Sequence, residues 1–330
     1  MEIKANLSSP SFKPTFQATL TEFKISPASP VSPAITRLQR GLVLRANSVL
    51  ITVYGDVMAQ RGQAVWLGSL IHLGGMFGLS PRLVRTSAFR LAADDWLTCT
   101  RLGRRSFYAL SDAGLQRVQH AERRIYDFAP PTWDGYWTLA ILAGGLPASA
   151  RLHLKRELRW EGFGELSPNV FAHPHANHLS LKEIIRSAGA REQMVVLRAE
   201  SIAAYSPRPL QTVMHATFKL DQVEAAFKQF VARFEPMLQQ AASLSARDAF
   251  FVRTLLIHEY RKVLLRDPNL PQALLPDSWP GLQARQLCET LYGQLFTSSD
   301  AYLLAQVETL DGKLTEAMQR MARPPAHNHP

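Results

Sequence analysis

Cysteine is almost absent from the 330 residues: Cys99 and Cys288 stand far apart, with no CxxC spacing. That excludes a disulfide framework and a thiolate metal site, and it suits a reducing compartment. Long apolar runs are missing too. Nothing approaches the roughly 18 consecutive apolar residues that span a bilayer, and the opening MEIKANLSSPSFKPTF lacks the apolar stretch of a secretory signal. The expectation is a cytoplasmic protein with no membrane partner. Nucleophile elbow, phosphate loop and dinucleotide fingerprint are likewise lacking, so no common catalytic motif points to an enzyme.

Lysine is missing from one long segment. Between Arg37 and Arg124 there are 13 arginines, no lysines and 5 acids, a balance of +8 against +10 for the whole chain. A binder of polyanions needs charge concentrated in this way. With 46% apolar and 9% aromatic residues, the chain can fill two or three cores.

Residues 1–36, with Ser26-Pro27, Ser29-Pro30 and Ser32-Pro33, read as a flexible arm. Residues 37–128 then read as tightly joined helices. A helix capped at Asn47 or Ser48 runs to Gln60, a second covers Val65 to Phe77, and Gly78-Leu79-Ser80-Pro81 is a turn whose Ser caps and whose Pro opens a third. In that third helix Val84, Ser87, Ala88 and Leu91 share one arc at 100° per residue, which leaves Arg82, Arg85, Thr86 and Arg90 outside it. Guanidinium forks match the acceptor pair on a guanine edge, and Thr offers a methyl or a hydroxyl. Two strands follow at once, Trp96–Arg101 and Arg105–Leu110, around a turn containing Gly103. The pattern is a winged helix-turn-helix whose wing carries Arg101, Arg104 and Arg105.

Pro130-Pro131 marks a boundary. Residues 129–205 alternate strands (135–142, 169–172, 193–199) with helices (148–160, 179–187), which predicts a ferredoxin-like α/β sandwich. Residues 206–322 read as a mainly α-helical C-terminal domain, with Val223, Phe227, Phe230 and Phe234 on one packing face, and 323–330 as a disordered tail. The class is therefore α+β, multidomain.

A series of motifs occurs in order: Gly55-Asp56, Trp66-Leu67-Gly68-Ser69-Leu70, Val84-Arg85-Thr86, Phe89-Arg90-Leu91, Gly103-Arg104-Arg105-Ser106, Trp133-Asp134-Gly135, Arg159-Trp160-Glu161-Gly162-Phe163-Gly164, His258-Glu259-Tyr260-Arg261, Leu265-Arg266-Asp267-Pro268 and Leu275-Pro276-Asp277-Ser278-Trp279-Pro280-Gly281. From about residue 45 to 300 the chain resembles the PaaX family of phenylacetic acid degradation repressors. The resemblance implies a winged-helix domain, a middle domain related to the small CRISPR-adaptation nuclease and a helical C-terminal domain. It also implies a homodimer that binds double-stranded operator DNA and releases it on binding an aryl acyl-CoA such as phenylacetyl-CoA, without a cofactor or a metal. Thr217-Phe218-Lys219-Leu220 departs from a Trp-containing motif common in the family, and Asp94-Asp95-Trp96 from Asp-Gly-Trp.

An acyl-CoA requires cations for its phosphates beside an apolar slot. Arg151, Lys155 and Arg159 form a basic stripe every fourth residue before Trp160, which reads either as such a site or as a solvated face. Arg253 projects within the apolar arc of a helix over 247–266, near His258 and Tyr260, with no acid three or four residues away. Its partner comes from elsewhere in the fold or is a ligand. His258-Glu259-Tyr260-Arg261 lacks the second His of a metalloprotease helix, and His173, His175 and His178 have no acid or cysteine beside them. The rival readings are a regulator of the same build serving another ligand or pathway and a metal-dependent nuclease; against the nuclease, the first strand of the middle domain ends Leu142-Ala143-Gly144, with no carboxylate to hold Mg²⁺, and Asp134 stands at its beginning.

Overall fold

The computed structural model describes residues 33–126, 133–200 and 210–317. Most of the Ser-Pro arm, Pro130-Pro131 and the terminal tail lie outside these. The last residues of the arm do not belong to it: α1 (Pro33–Gln39) opens on Pro33 and buries Ile35 and Leu38.

α2 (Ala46–Val53) buries Val49, Leu50 and Val53 and then widens into a π-helical turn, Tyr54–Met58, which buries Asp56. After β1 (Val65–Trp66), α3 (Leu67–Gly75) meets α4 (Pro81–Ala93) at close range. A Cβ on Gly74 would stand 2.7 Å from the Cγ2 of buried Val84, so only glycine admits this approach without movement. β2 (Leu97–Leu102) and β3 (Arg105–Leu110) form a hairpin, and α5 (Asp112–Tyr126) follows.

The middle region runs β4 (Trp137–Leu142), α6 (Ala148–Trp160), β5 (Gly164–Ser167), β6 (Val170–His173), α7 (His178–Ser187), β7 (Met194–Ala199). Its sheet has the order β5-β6-β4-β7, every neighbour antiparallel. Leu154, Leu158 and Leu181 of the helices close on Ala140, Leu142 and Phe171, which makes a core private to this region. Burying each such leucine contributes roughly 1.5–3 kcal/mol.

The rest is helical: α8 (Leu210–Phe218), α9 (Leu220–Phe234), α10 (Ala246–Leu264, capped by the Ser245 hydroxyl) and α11 (Gly281–Gln306). α10 buries almost its whole circumference, because α11 covers one side and α2 the other. One continuous core therefore joins the N-terminal helices to the C-terminal ones, with Phe77 packed on Phe250 and Phe251. The chain then returns to where it began. β8 (Glu308–Thr309) pairs with β1, and β9 (Gly312–Lys313) extends the sheet to β2-β3-β1-β8-β9.

Candidate nucleic-acid interface and ligand cavity

Ser80 sets the start of α4 by accepting the Leu83 N–H at 3.3 Å, while Pro81 sits where a missing N–H costs nothing. Val84, Ser87, Ala88 and Leu91 are buried, so Arg82, Arg85, Thr86 and Arg90 are left exposed on the other side. Among the described residues these three arginines have no ion pair. These three solvent-exposed forks share the face with a residue that charge patterning passes over: Phe89, 70% exposed between Arg82 and Arg85 on the helical wheel.

The hairpin tip is a two-residue turn, Gly103-Arg104, because Leu102 pairs with Arg105. Gly103, at φ +58°, takes the left-handed first position that a type II′ turn demands. Arg101 and Arg104 are exposed at this tip. Arg105 is held differently. Its guanidinium lies 4.7 Å from the Trp66 ring and pairs with Glu308 of β8, tying the hairpin to the C-terminal segment.

The seven side chains considered for an acyl-CoA separate into three groups. Arg253 is 1% exposed; its Nε stands 3.0 Å from Asp56 Oδ2, and its Nη2 donates to the Tyr292 hydroxyl at 2.8 Å. Burial is the strongest single influence and opposes the cation, but Asp56, Tyr292, Tyr126 and Asp300 together overcome it and raise the guanidinium above its ordinary value. Asp56 Oδ1 also accepts from Tyr126 at 2.7 Å and Tyr292 at 2.9 Å. The partner of Arg253 thus comes from the fold. His258 lies with Nδ1 3.0 Å from Thr52 Oγ1, and burial, then Arg261 and Lys262, push it down to about 4, so it is neutral at pH 7. Tyr260 packs on Phe230, and burial raises its hydroxyl.

In the second group, Arg151 donates to Pro168 O and Asn169 Oδ1, and Lys155 bonds Glu165 at 2.6 Å. Arg159 meets the same carboxylate at 2.8 Å. The Lys155 hydrogen bond, against burial and helped by Arg159, holds Glu165 below the usual carboxylate range. Two of the three cations of the stripe thus share one acid from β5, and the third bonds neutral acceptors. Arg159 and Trp160 form the third group, because they also line a cavity.

That cavity, about 830 Å³, opens where the three parts of the chain meet. α2 and the π turn supply Ile51 and Asp56, α5 supplies Val118, Ile125 and Tyr126, α6 supplies Arg159 and Trp160, α7 supplies Ile184, and α10 supplies Ile257 and Arg261. Trp96, directly after α4, forms another part of the wall. Arg261 is the residue that sequence reasoning left without a role. Its Nη2 donates to Ser48 Oγ at 3.0 Å and Ser48 O at 3.2 Å, while its buried Nε has no partner. Burial pulls this guanidinium below its ordinary value. The ordered motif around it was a signal of a kind, but nothing in the spacing separates Arg261 from the neighbouring surface cations.

His173 is buried and its Nδ1 accepts the His175 N–H at 2.9 Å, and no group of three His, Cys, Asp or Glu suited to a metal occurs among the described residues. Asp134, at the head of β4, accepts the Tyr136 N–H, which chiefly lowers its pKa, and pairs with Arg198 at 3.0 Å.

An exposed arginine face beside a basic hairpin, on a body with a half-open cavity where its parts meet, is an arrangement that suits a transcription regulator. Residues 45–114 match the family described as PaaX-like protein, 130–211 the PaaX protein central Cas2-like domain and 218–305 the PaaX-like protein C-terminal domain. The chain belongs to the PaaX family of transcriptional repressors. It is 38% identical over 272 residues to the transcriptional repressor PaaX of Escherichia coli (strain K12), covering 81% of this chain and 86% of that protein. Among solved structures it is similar to the uncharacterized protein Rv0674 from Mycobacterium tuberculosis, with 25% identity and a TM-score of 0.52 over 78% of this chain and 99% of that one. No helix among the described residues is long and apolar enough to cross a membrane.

Proposed function

We propose that this repressor acts on genes of aromatic acid catabolism, phenylacetate first among them, by gripping double-stranded operator DNA as a homodimer. In this reading α3, its turn and α4 are a helix-turn-helix, the β2–β3 hairpin is the wing, and the βαββαβ order of the middle region is a ferredoxin-like sandwich. The observation that carries it is the outward face of α4, where Arg82, Arg85, Thr86 and Arg90 stand exposed on a helix whose other side is locked into the core. A helix held this way can enter a major groove without rearranging.

Release follows from an aryl acyl-CoA, with phenylacetyl-CoA as the leading candidate. Such a ligand acts only through unequal affinity for the DNA-gripping and relaxed shapes of the dimer. The test is a gel-shift series on the operator against a panel of acyl-CoA thioesters and the corresponding free acids. Phenylacetyl-CoA should free the DNA while phenylacetate leaves it bound. Retention of the operator at saturating concentrations of every thioester would remove the ligand half of the proposal, and failure to shift any promoter DNA would remove the rest.

A further inference from the structure

Arg261 poses a problem of charge. Its guanidinium is enclosed where α10 meets α2, its contacts are one serine hydroxyl and one carbonyl, and no carboxylate pairs with it among the described residues. Arg261 is half-buried, and a cation taken partly out of water without a counter-charge is disfavoured, so such groups are ordinarily paired or await an anion. Five acids line the same cavity, Glu122 and Glu161 among them, and the other three have cationic partners. Asp56 holds Arg253, Glu183 holds Arg186, and Glu157 meets Arg156. Arg261 also lines a cavity walled by Trp96, Tyr126, Trp160 and Ile184, of a size that takes a drug-sized organic molecule.

A second cleft, about 670 Å³ and mostly polar, begins where the first ends. Arg159 and Leu265 line both, and the second adds Lys219 and Arg266. A largely apolar chamber with the half-buried Arg261 therefore adjoins a polar one whose wall carries Arg159, Lys219 and Arg266 beside Glu165 and Asp267.

From this geometry we infer that the two clefts form a single effector site for an aryl thioester. The ring sits against Trp96 and Trp160, Arg261 donates to the acyl oxygen, and the phosphorylated handle runs past Arg159 toward Lys219 and Arg266. The inference rests on the reading that an acyl-CoA frees the operator, and it adds a location and a regulatory route. Trp96 donates its backbone N–H to Leu91 O at 2.8 Å, so the cavity wall is fastened to the last turn of α4. A ligand wedged between Trp96 on one side and Trp160 of the middle region on the other moves the DNA-facing helix relative to the body.

The experiment uses the full chain, with phenylacetyl-CoA, coenzyme A and phenylacetate as probes, read by tryptophan fluorescence and by operator anisotropy. Wild type should bind phenylacetyl-CoA saturably and the two fragments at least 10-fold more weakly each. Arg261→Gln should weaken phenylacetyl-CoA at least 10-fold while ligand-free operator affinity stays within 2-fold. Ile184→Trp, on α7 and no part of the Arg261–Ser48 hydrogen bonds, fills the chamber and should abolish the ligand response with operator binding retained; it serves where Arg261→Gln fails to fold. Wild-type affinity for the probe in both folded variants would overturn the site, as would no probe binding to wild type at all. If the variants still release the operator normally, the location is wrong and the acyl-CoA reading stands. If the probe fills the site and never frees DNA, the release reading fails and the site stands.

Discussion

Phe89 stands among arginines on the outward face of α4, which is an odd place for an aromatic ring unless apolar contact is part of the readout. In a major groove the thymine methyl is the apolar feature that a phenyl ring meets. Phe89→Ala should cost about 1–3 kcal/mol on the natural operator, and substituting deoxyuridine for the contacted thymine should weaken wild type but not the variant. Equal losses in both proteins would place the ring off the DNA. The fold has its own sensitive residue in His258. Because its folded pKa, about 4, lies below the unfolded value, the unfolded chain binds more protons between pH 6.5 and 4, and stability present above 6.5 is lost as pH falls through that window. The loss should approach about 3 kcal/mol in denaturant unfolding, and His258→Gln should remove most of it; an ordinary titration of His258 near 6.5 by NMR would contradict this.

Residue identities were readable where a periodic pattern decided them. The arc of Val84, Ser87, Ala88 and Leu91 sends Arg85 outward whatever the rest of the chain does. Arg253 and Arg105 were not readable in that way. Their partners, Asp56 and Glu308, are supplied by packing between ends of the chain that no local spacing reports.

At the scale of elements, the α3–α4 corner depends on a missing side chain. Gly74→Ala adds a Cβ against stiff, buried Val84, and overpacking of about 1–3 kcal/mol should outweigh the roughly 1 kcal/mol that alanine gains in helix propensity. Thermal unfolding should show a lower Tm, with operator affinity falling in parallel; a Tm at or above wild type would mean that the corner gives way easily. Long amphipathic elements were legible from sequence: α6 spans Ala148–Trp160 as its pattern indicates. Short strands were not. β1 is two residues hidden at the start of an apolar run that continues into α3, and β8 is two residues whose partner lies far back in the chain. The middle sheet gains β5, a four-residue strand too short to show alternation. The π turn at Tyr54–Met58 interrupts a segment that reads as one helix, and it is this widening that carries Asp56.

In the whole molecule, the N-terminal and C-terminal helices share one core that also takes in Trp137 and Ala172 of the middle sheet, while the middle region has a second core of its own. Asp56 is the pin of the shared core, since it is bonded at once to α5, α10 and α11 through Tyr126, Arg253 and Tyr292. Asp56→Ala strands a buried guanidinium and should cost about 3–5 kcal/mol, whereas the double change Asp56→Leu, Arg253→Met should recover most of it. If Asp56→Ala unfolds at the wild-type denaturant midpoint, the pin carries no load. The cavity lies where the middle region meets the rest of the chain.

The central claim is that the face of α4 holds the operator. Its most direct test is the dissociation constant of full-length wild type and of Arg82→Ala, Arg85→Ala, Arg90→Ala combined, on the operator that the purified protein selects from genomic DNA, at two salt concentrations. The account predicts a loss of at least 100-fold in the triple variant, with a shallower dependence on salt by about three phosphate contacts if each arginine meets one. Binding within 2-fold of wild type, by a variant with unchanged thermal stability, would contradict it.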